Sequence, residues 1–114
     1  MPRARAVTTI TIRKGTTQAF GWAVLRAGQR VPLTGWTVRA QVRSEVDSNT
    51  VLHEFSSAAG NARTDNGYVI IESDVDSETW TWENGVYDVR ATDPDGNVLA
   101  VAEGSIKVRR SVTR

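Results

Sequence analysis

The stretch Glu83–Val108 constrains the fold more than any other part of the chain. Tyr87, Val89 and Ala91 alternate with Asp88, Arg90 and Thr92. Period-two alternation marks a strand with one buried face. Asp93-Pro94-Asp95-Gly96 follows. In such a turn Pro presets φ at the second position and Gly accepts positive φ. Beyond it Gly104, Ile106 and Val108 share one side, with Lys107 and Arg109 on the other. The pattern predicts a long C-terminal β-hairpin against which the remaining strands stack.

Those strands are short and frequent. Val7–Ile12 is rich in Thr, Val and Ile, a good strand composition. From Gln18 to Leu25, Phe20, Trp22 and Val24 alternate with the small Ala19, Gly21 and Ala23. Arg26–Arg30 reads as a loop and Val31–Gly35 as an extended link. Trp36, Val38, Ala40 and Val42 alternate with Thr37, Arg39, Gln41 and Arg43, the cleanest strand pattern in the chain. Val51–Phe55 is a strand of open phase, because Val51 and Phe55 compete with Leu52 for the core. Ser56–Asn66 reads as a loop ending in the hairpin-type turn Asp65-Asn66-Gly67. Tyr68–Glu72 is apolar on both sides, and Asp74–Thr79 can hold a helical turn.

About seven short strands with closely spaced turns, and no amphipathic helix, predict a single all-β domain. The expected fold is one immunoglobulin-like β-sandwich over residues 1–114, antiparallel and without a disulfide. The absence of Cys excludes the disulfide and any thiolate metal site. At 114 residues the chain is long enough for one core without staples. Tyr87, just after Asn84-Gly85, is a candidate tyrosine corner. No apolar run reads as a signal peptide or a membrane span. Twelve Arg against two Lys is a compositional trait of GC-rich coding.

The net charge of +1 hides a segregation. Residues 1–44 hold eight basic side chains and no acid, whereas all thirteen acids lie between Glu45 and Glu103. Either basic and acidic strands pair and cancel, or the molecule has a basic and an acidic pole suited to head-to-tail packing. Short basic arms are expected at residues 1–6 and 110–114.

Chemical sites are sparse. His53 is the only His and lacks partners at triad or metal-ligand spacing. Asp74–Glu78 and Asp93–Asn97 lack the full ligand set of a calcium loop. No catalytic, cofactor or metal residues are assigned. Trp22 and Trp36 lie in phase with apolar neighbours and read as core. Trp80 and Trp82, two apart, face one way; packing in a core or an interface is the better reading, and a carbohydrate platform the other. The terminal Arg residues are of the type that contacts nucleic acid, but the lack of interleaved aromatics and a net charge near zero argue against that partner.

One resemblance carries further. Pro32-Leu33-Thr34-Gly35-Trp36 leading into the Val38–Arg43 alternation, then Gly85-Val86-Tyr87-Asp88-Val89, Asp95-Gly96 and Gly104-Ser105-Ile106-Lys107-Val108, resembles small β-sandwich tail and baseplate proteins of long-tailed bacteriophages. The likeness spans most of the chain, and its motifs are structural. It implies a non-enzymatic virion component without cofactor, made in the host cytoplasm and placed in the phage particle. It implies other virion proteins as partners in a symmetric homo- or hetero-oligomer, and no membrane. A carbohydrate- or receptor-binding module on the virion and a head decoration protein are the alternatives. The residues expected to make partner contacts are Arg3, Arg5, Arg109, Arg110, Arg114, Glu72, Asp74, Asp76, Glu78, Trp80 and Trp82.

Overall fold

A computed structural model describes residues 6–110 and 112. Its strands are β1 (Ala6–Val7), β2 (Ile10–Arg13), β3 (Gln18–Ala23), β4 (Leu25–Arg26), β5 (Gln29–Arg30) and β6 (Thr37–Arg43). They continue with β7 (Val51–Ser56), β8 (Ala62–Asp65), β9 (Tyr68–Ser73), β10 (Asn84–Thr92) and β11 (Val98–Arg109). A 3-10 turn covers Val75–Thr79. The larger sheet runs β1-β11-β10-β6-β7, with β2 also on β11; the smaller runs β3-β9-β8. The strand order is that of an immunoglobulin-like sandwich, with β7 on the larger sheet as in variable-type domains.

The core lies between the sheets and follows the alternation. Val38, Ala40 and Val42 on β6, Tyr87, Val89 and Ala91 on β10, and Ile106 and Val108 on β11 are buried. Val69 and Ile71 of β9 face them, with Phe20 and Trp22 of β3 half-buried against the same cluster. Trp36 precedes β6 and is also only half-buried. The expected hairpin is β10–β11, closed by Gly96 N–H donating to the Asp93 carbonyl at 3.0 Å. The Asp93 carboxylate accepts from the amides of Asp95 and Asn97, each at 2.9 Å.

Several local expectations are corrected. Val7–Ile12 is two pieces, β1 and β2, broken at Thr8-Thr9, and both run parallel to β11. The break sits where Gly104, at φ +156°, lets the chains approach so closely that a Cβ there would collide with the Thr8 carbonyl. The Tyr87 hydroxyl donates to that same carbonyl. It therefore ties down the N-terminal strand instead of forming a corner with its own upstream backbone. Ser56–Asn66 is not all loop: β8 lies within it, hidden in sequence because only Ala62 of its four residues is buried. The expected loop Arg26–Arg30 is the small ribbon β4–β5. The open phase of β7 is settled by an irregularity against β6, which lets Leu52 pack on the core although Phe55 is 1% exposed. Ala6, assigned to the N-terminal arm, already pairs with Ala102.

Candidate interaction surfaces

The acidic stretch is built on the link between the sheets. Asp74 caps the 3-10 turn, its carboxylate accepting from the Asp76 amide at 2.9 Å. Ser77, buried, accepts from the Gly15 amide at 2.8 Å, which seats the turn against the β2–β3 connection. Glu72 pairs with Arg63 at 3.4 Å. Asp74, Asp76 and Glu78 are exposed. Among the described residues no three His, Asp or Glu side chains converge as a metal site.

This acidic turn shares its end of the molecule with basic chain. The Lys14 amide donates to the Arg109 carbonyl at 2.8 Å, and Lys14 adjoins the Gly15 that holds Ser77. Arg109 and Arg110 are exposed there. Arg3, Arg5 and Arg114 lie outside the described residues. Within the described chain, then, acidic turn and basic root are neighbours and not opposite poles. The larger sheet also interleaves its charges: Arg39 on β6 meets Glu54 on β7 at 2.9 Å, and Arg90 lies 3.7 Å from Asp88. Hydrogen bonds from Gln41 and Arg39 hold the Glu54 carboxyl below its usual range.

Trp80 and Trp82 face the same way, as their spacing predicts. Their rings stack at 4.9 Å and 20°. Trp80 lies 4.5 Å from His53, which meets Phe55 edge-on at 4.6 Å. Both Trp rings are half-buried against the core, and the Trp82 indole N–H is shut from solvent without a partner. Burial pushes the His53 pKa down, with Asp74 and Glu54 pulling the other way. The Trp80 and Trp82 rings stack on each other and Trp80 meets the imidazole at a tilt of 47°, so both rings take part in packing.

A surface missed from sequence is the outer face of the larger sheet. Arg39, Gln41 and Arg43 of β6, Val86, Asp88 and Arg90 of β10, and Glu103 line a shallow concavity of about 680 Å³, rimmed by Val46. Arg43 is held by the Ser48 carbonyl at 2.6 Å and by Gln41 at 3.0 Å. The residues come from the outward positions of the two cleanest strands, and only the pairing of β10 with β6 and β11 brings them together. Among the described residues no helix is long and apolar enough to cross a membrane.

No protein-family model and no curated protein matches the chain. Among solved structures, murine CRIg is similar at 15% identity and a TM-score of 0.42, covering 90% of this chain and 92% of that one. Drosophila OTK, extracellular domains 3–5, is similar at 13% identity and a TM-score of 0.39, covering 90% of this chain and 33% of that one.

Proposed function

We propose that this protein is a non-enzymatic structural component of a long-tailed phage particle, a minor tail, baseplate or fibre-attachment protein that works through protein–protein contacts. The observation that carries the contact role is the outer face of the larger sheet. It sets Arg39, Arg43 and Arg90 among Glu54 and Asp88 around the half-buried Val86. Interleaved charges on a firm sheet give register and partner choice more than raw affinity, as a building block of an ordered particle requires. The placement in a virion rests on the sequence resemblance. Its motif residues act in the fold: Gly85 lies where a Cβ would come 2.8 Å from the Arg43 carbonyl, and Gly104 passes Thr8.

Immunogold labelling of purified particles tests the placement; absence of label from tail, baseplate and head alike would refute it. Arg43→Glu with Arg90→Glu tests the face. This double variant should fold normally and incorporate at least tenfold less. Deleting residues 1–5 with 110–114 tests the basic arms separately. Incorporation unchanged by that deletion would leave the sheet face as the assembly contact.

A further inference from the structure

Among the described residues the two sheets leave four edges, and three of them are defended. β2 is four residues long, follows the break at Thr8-Thr9 and ends at Arg13, with Lys14 next in the chain. β8 is also four residues and carries Arg63 and Asp65. On β7 the Asn61 side chain occupies the outer edge, accepting from the Ser56 amide at 2.7 Å and donating to the Glu54 carbonyl at 3.2 Å. Short strands, charges and covering groups are how soluble sheets avoid pairing with other chains.

β3 has none of these. It runs six residues, Gln18-Ala19-Phe20-Gly21-Trp22-Ala23, without charge or proline. It pairs with β9 on one side, and among the described residues no strand pairs with the other. Which backbone groups are free follows from the ladder. The Glu72 amide bonds to the Asn61 carbonyl, on the β8 side of β9. Antiparallel bonding alternates, so Ser73, Ile71 and Val69 bond towards β3, opposite Gln18, Phe20 and Trp22. The Val24 amide, bonded to the Gly67 carbonyl, continues that series. The N–H and C=O groups of Ala19, Gly21 and Ala23 therefore point outward. All three residues are exposed and small, so among the described residues nothing blocks a second strand.

We propose that β3 is a self-pairing edge, and that the occupant is β3 of a second copy of this chain. Centred on Gly21 opposite its own symmetry mate, an antiparallel two-fold pairing sets Ala19 against the partner's Ala23. Every outward backbone group then meets another outward group, and each facing pair exchanges two N–H···O bonds. A two-fold axis sets each residue near its own kind, which a charged strand resists and this uncharged one permits. On the inner face the same register sets Phe20 beside the partner's Trp22. Both rings are half-buried in the single chain and gain cover from the pairing. The product is one continuous sheet, β8-β9-β3 running into its mate. This rests on reading the chain as a contact protein, but uses a different surface from the Arg43/Arg90 face, so the two fail separately.

The register gives the test. By sedimentation at micromolar to near-millimolar concentration, the full chain should show a species of twice 12.5 kDa. Ala19→Lys with Ala23→Lys sets Lys against Lys at both ends and should weaken the dimer at least tenfold. Ala19→Lys with Ala23→Glu sets Lys against Glu and should restore it. Both sites are exposed, so circular dichroism should be unchanged in both variants. Gly21→Cys, in a chain without other Cys, should cross-link on mild oxidation, since Cα atoms in a hydrogen-bonded pair lie about 5.5 Å apart. A chain monomeric throughout the range, or a dimer equally sensitive to the two double variants, would overturn the proposal.

Discussion

The Tyr87 hydroxyl donates a 2.6 Å hydrogen bond to the Thr8 carbonyl, joining residues 79 apart in sequence. The contact explains how the N-terminal strand is held at its weakest point. β1 and β2 are interrupted there, and the Thr8 amide bonds to the Glu103 carbonyl at 3.0 Å. Gly104 makes room for the approach, and the Trp22 ring lies 6.2 Å from that of Tyr87 across the sandwich. Burial, with a smaller push from Glu103, raises the Tyr87 pKa to about 12, so the phenol stays protonated and able to donate throughout the neutral range.

Two substitutions separate the bond from the close approach. Tyr87→Phe removes one donor while keeping the ring, and should cost about 1 kcal/mol. Gly104→Ala sets a methyl into the Thr8 backbone at a φ that L side chains rarely adopt, and should cost roughly 3 kcal/mol. Urea denaturation of both variants measures the difference. A larger loss for Tyr87→Phe would show that the hydrogen bond dominates.

Core substitutions should rank by burial and not by side-chain size. Phe55 is 1% exposed and should lose about 3–5 kcal/mol on Phe55→Ala. Trp36 looks like the anchor of the cleanest alternating run, yet it lies one residue before β6 and is half-buried. Trp36→Ala should therefore cost less, about 2 kcal/mol. Equal melting points for the two variants would contradict this ranking.

The contrast between Phe55 and Trp36 shows what was legible in the sequence. Regular alternation located β6, β10 and β11 and their buried faces, because side-chain direction on a strand has a fixed period. It could not settle β7, where an irregularity at Leu52 changes the phase midway. It could not find β8, whose pairing is carried by backbone and by the Asn66-Gly67 turn, with φ of 50° and 82°, and hardly by apolar side chains. The acidic residues and the Trp pair were recognisable as features. Their surroundings were not, since Trp80 against His53, and Lys14 bonded to Arg109, are contacts between segments far apart in the chain. The open edge of β3 was likewise hidden, because an edge is a property of the sheet order.

Stability should fall on acidification through His53. Burial lowers its folded-state pKa below the ordinary 6.5, so below pH 6.5 the unfolded chain binds more protons than the folded one. The His53 contribution is thus complete above pH 6.5 and is lost as the pH falls through the lowered folded value. His53→Phe keeps a ring between Phe55 and Trp80 and removes the titration. The variant should melt with a flatter dependence between about pH 5 and 7 than the parent. Parallel curves in that window would place the imidazole in solvent.

Asn61 makes the sharpest test of edge protection, because its amide both accepts from Ser56 and donates to Glu54 on the free side of β7. Asn61→Ala loses both bonds and uncovers the edge. Asn61→Asp keeps an acceptor for Ser56, loses the donor to Glu54, and leaves a negative charge at the edge. Each should cost about 1–2 kcal/mol, the worth of a hydrogen bond or two at a half-buried site. They should differ in association: a bare edge pairs with other chains, whereas a charged one repels them. Light scattering during slow heating should therefore rise earlier for Asn61→Ala than for Asn61→Asp, although their melting points agree. Matching scattering curves would mean that Asn61 stabilises β7 without guarding it.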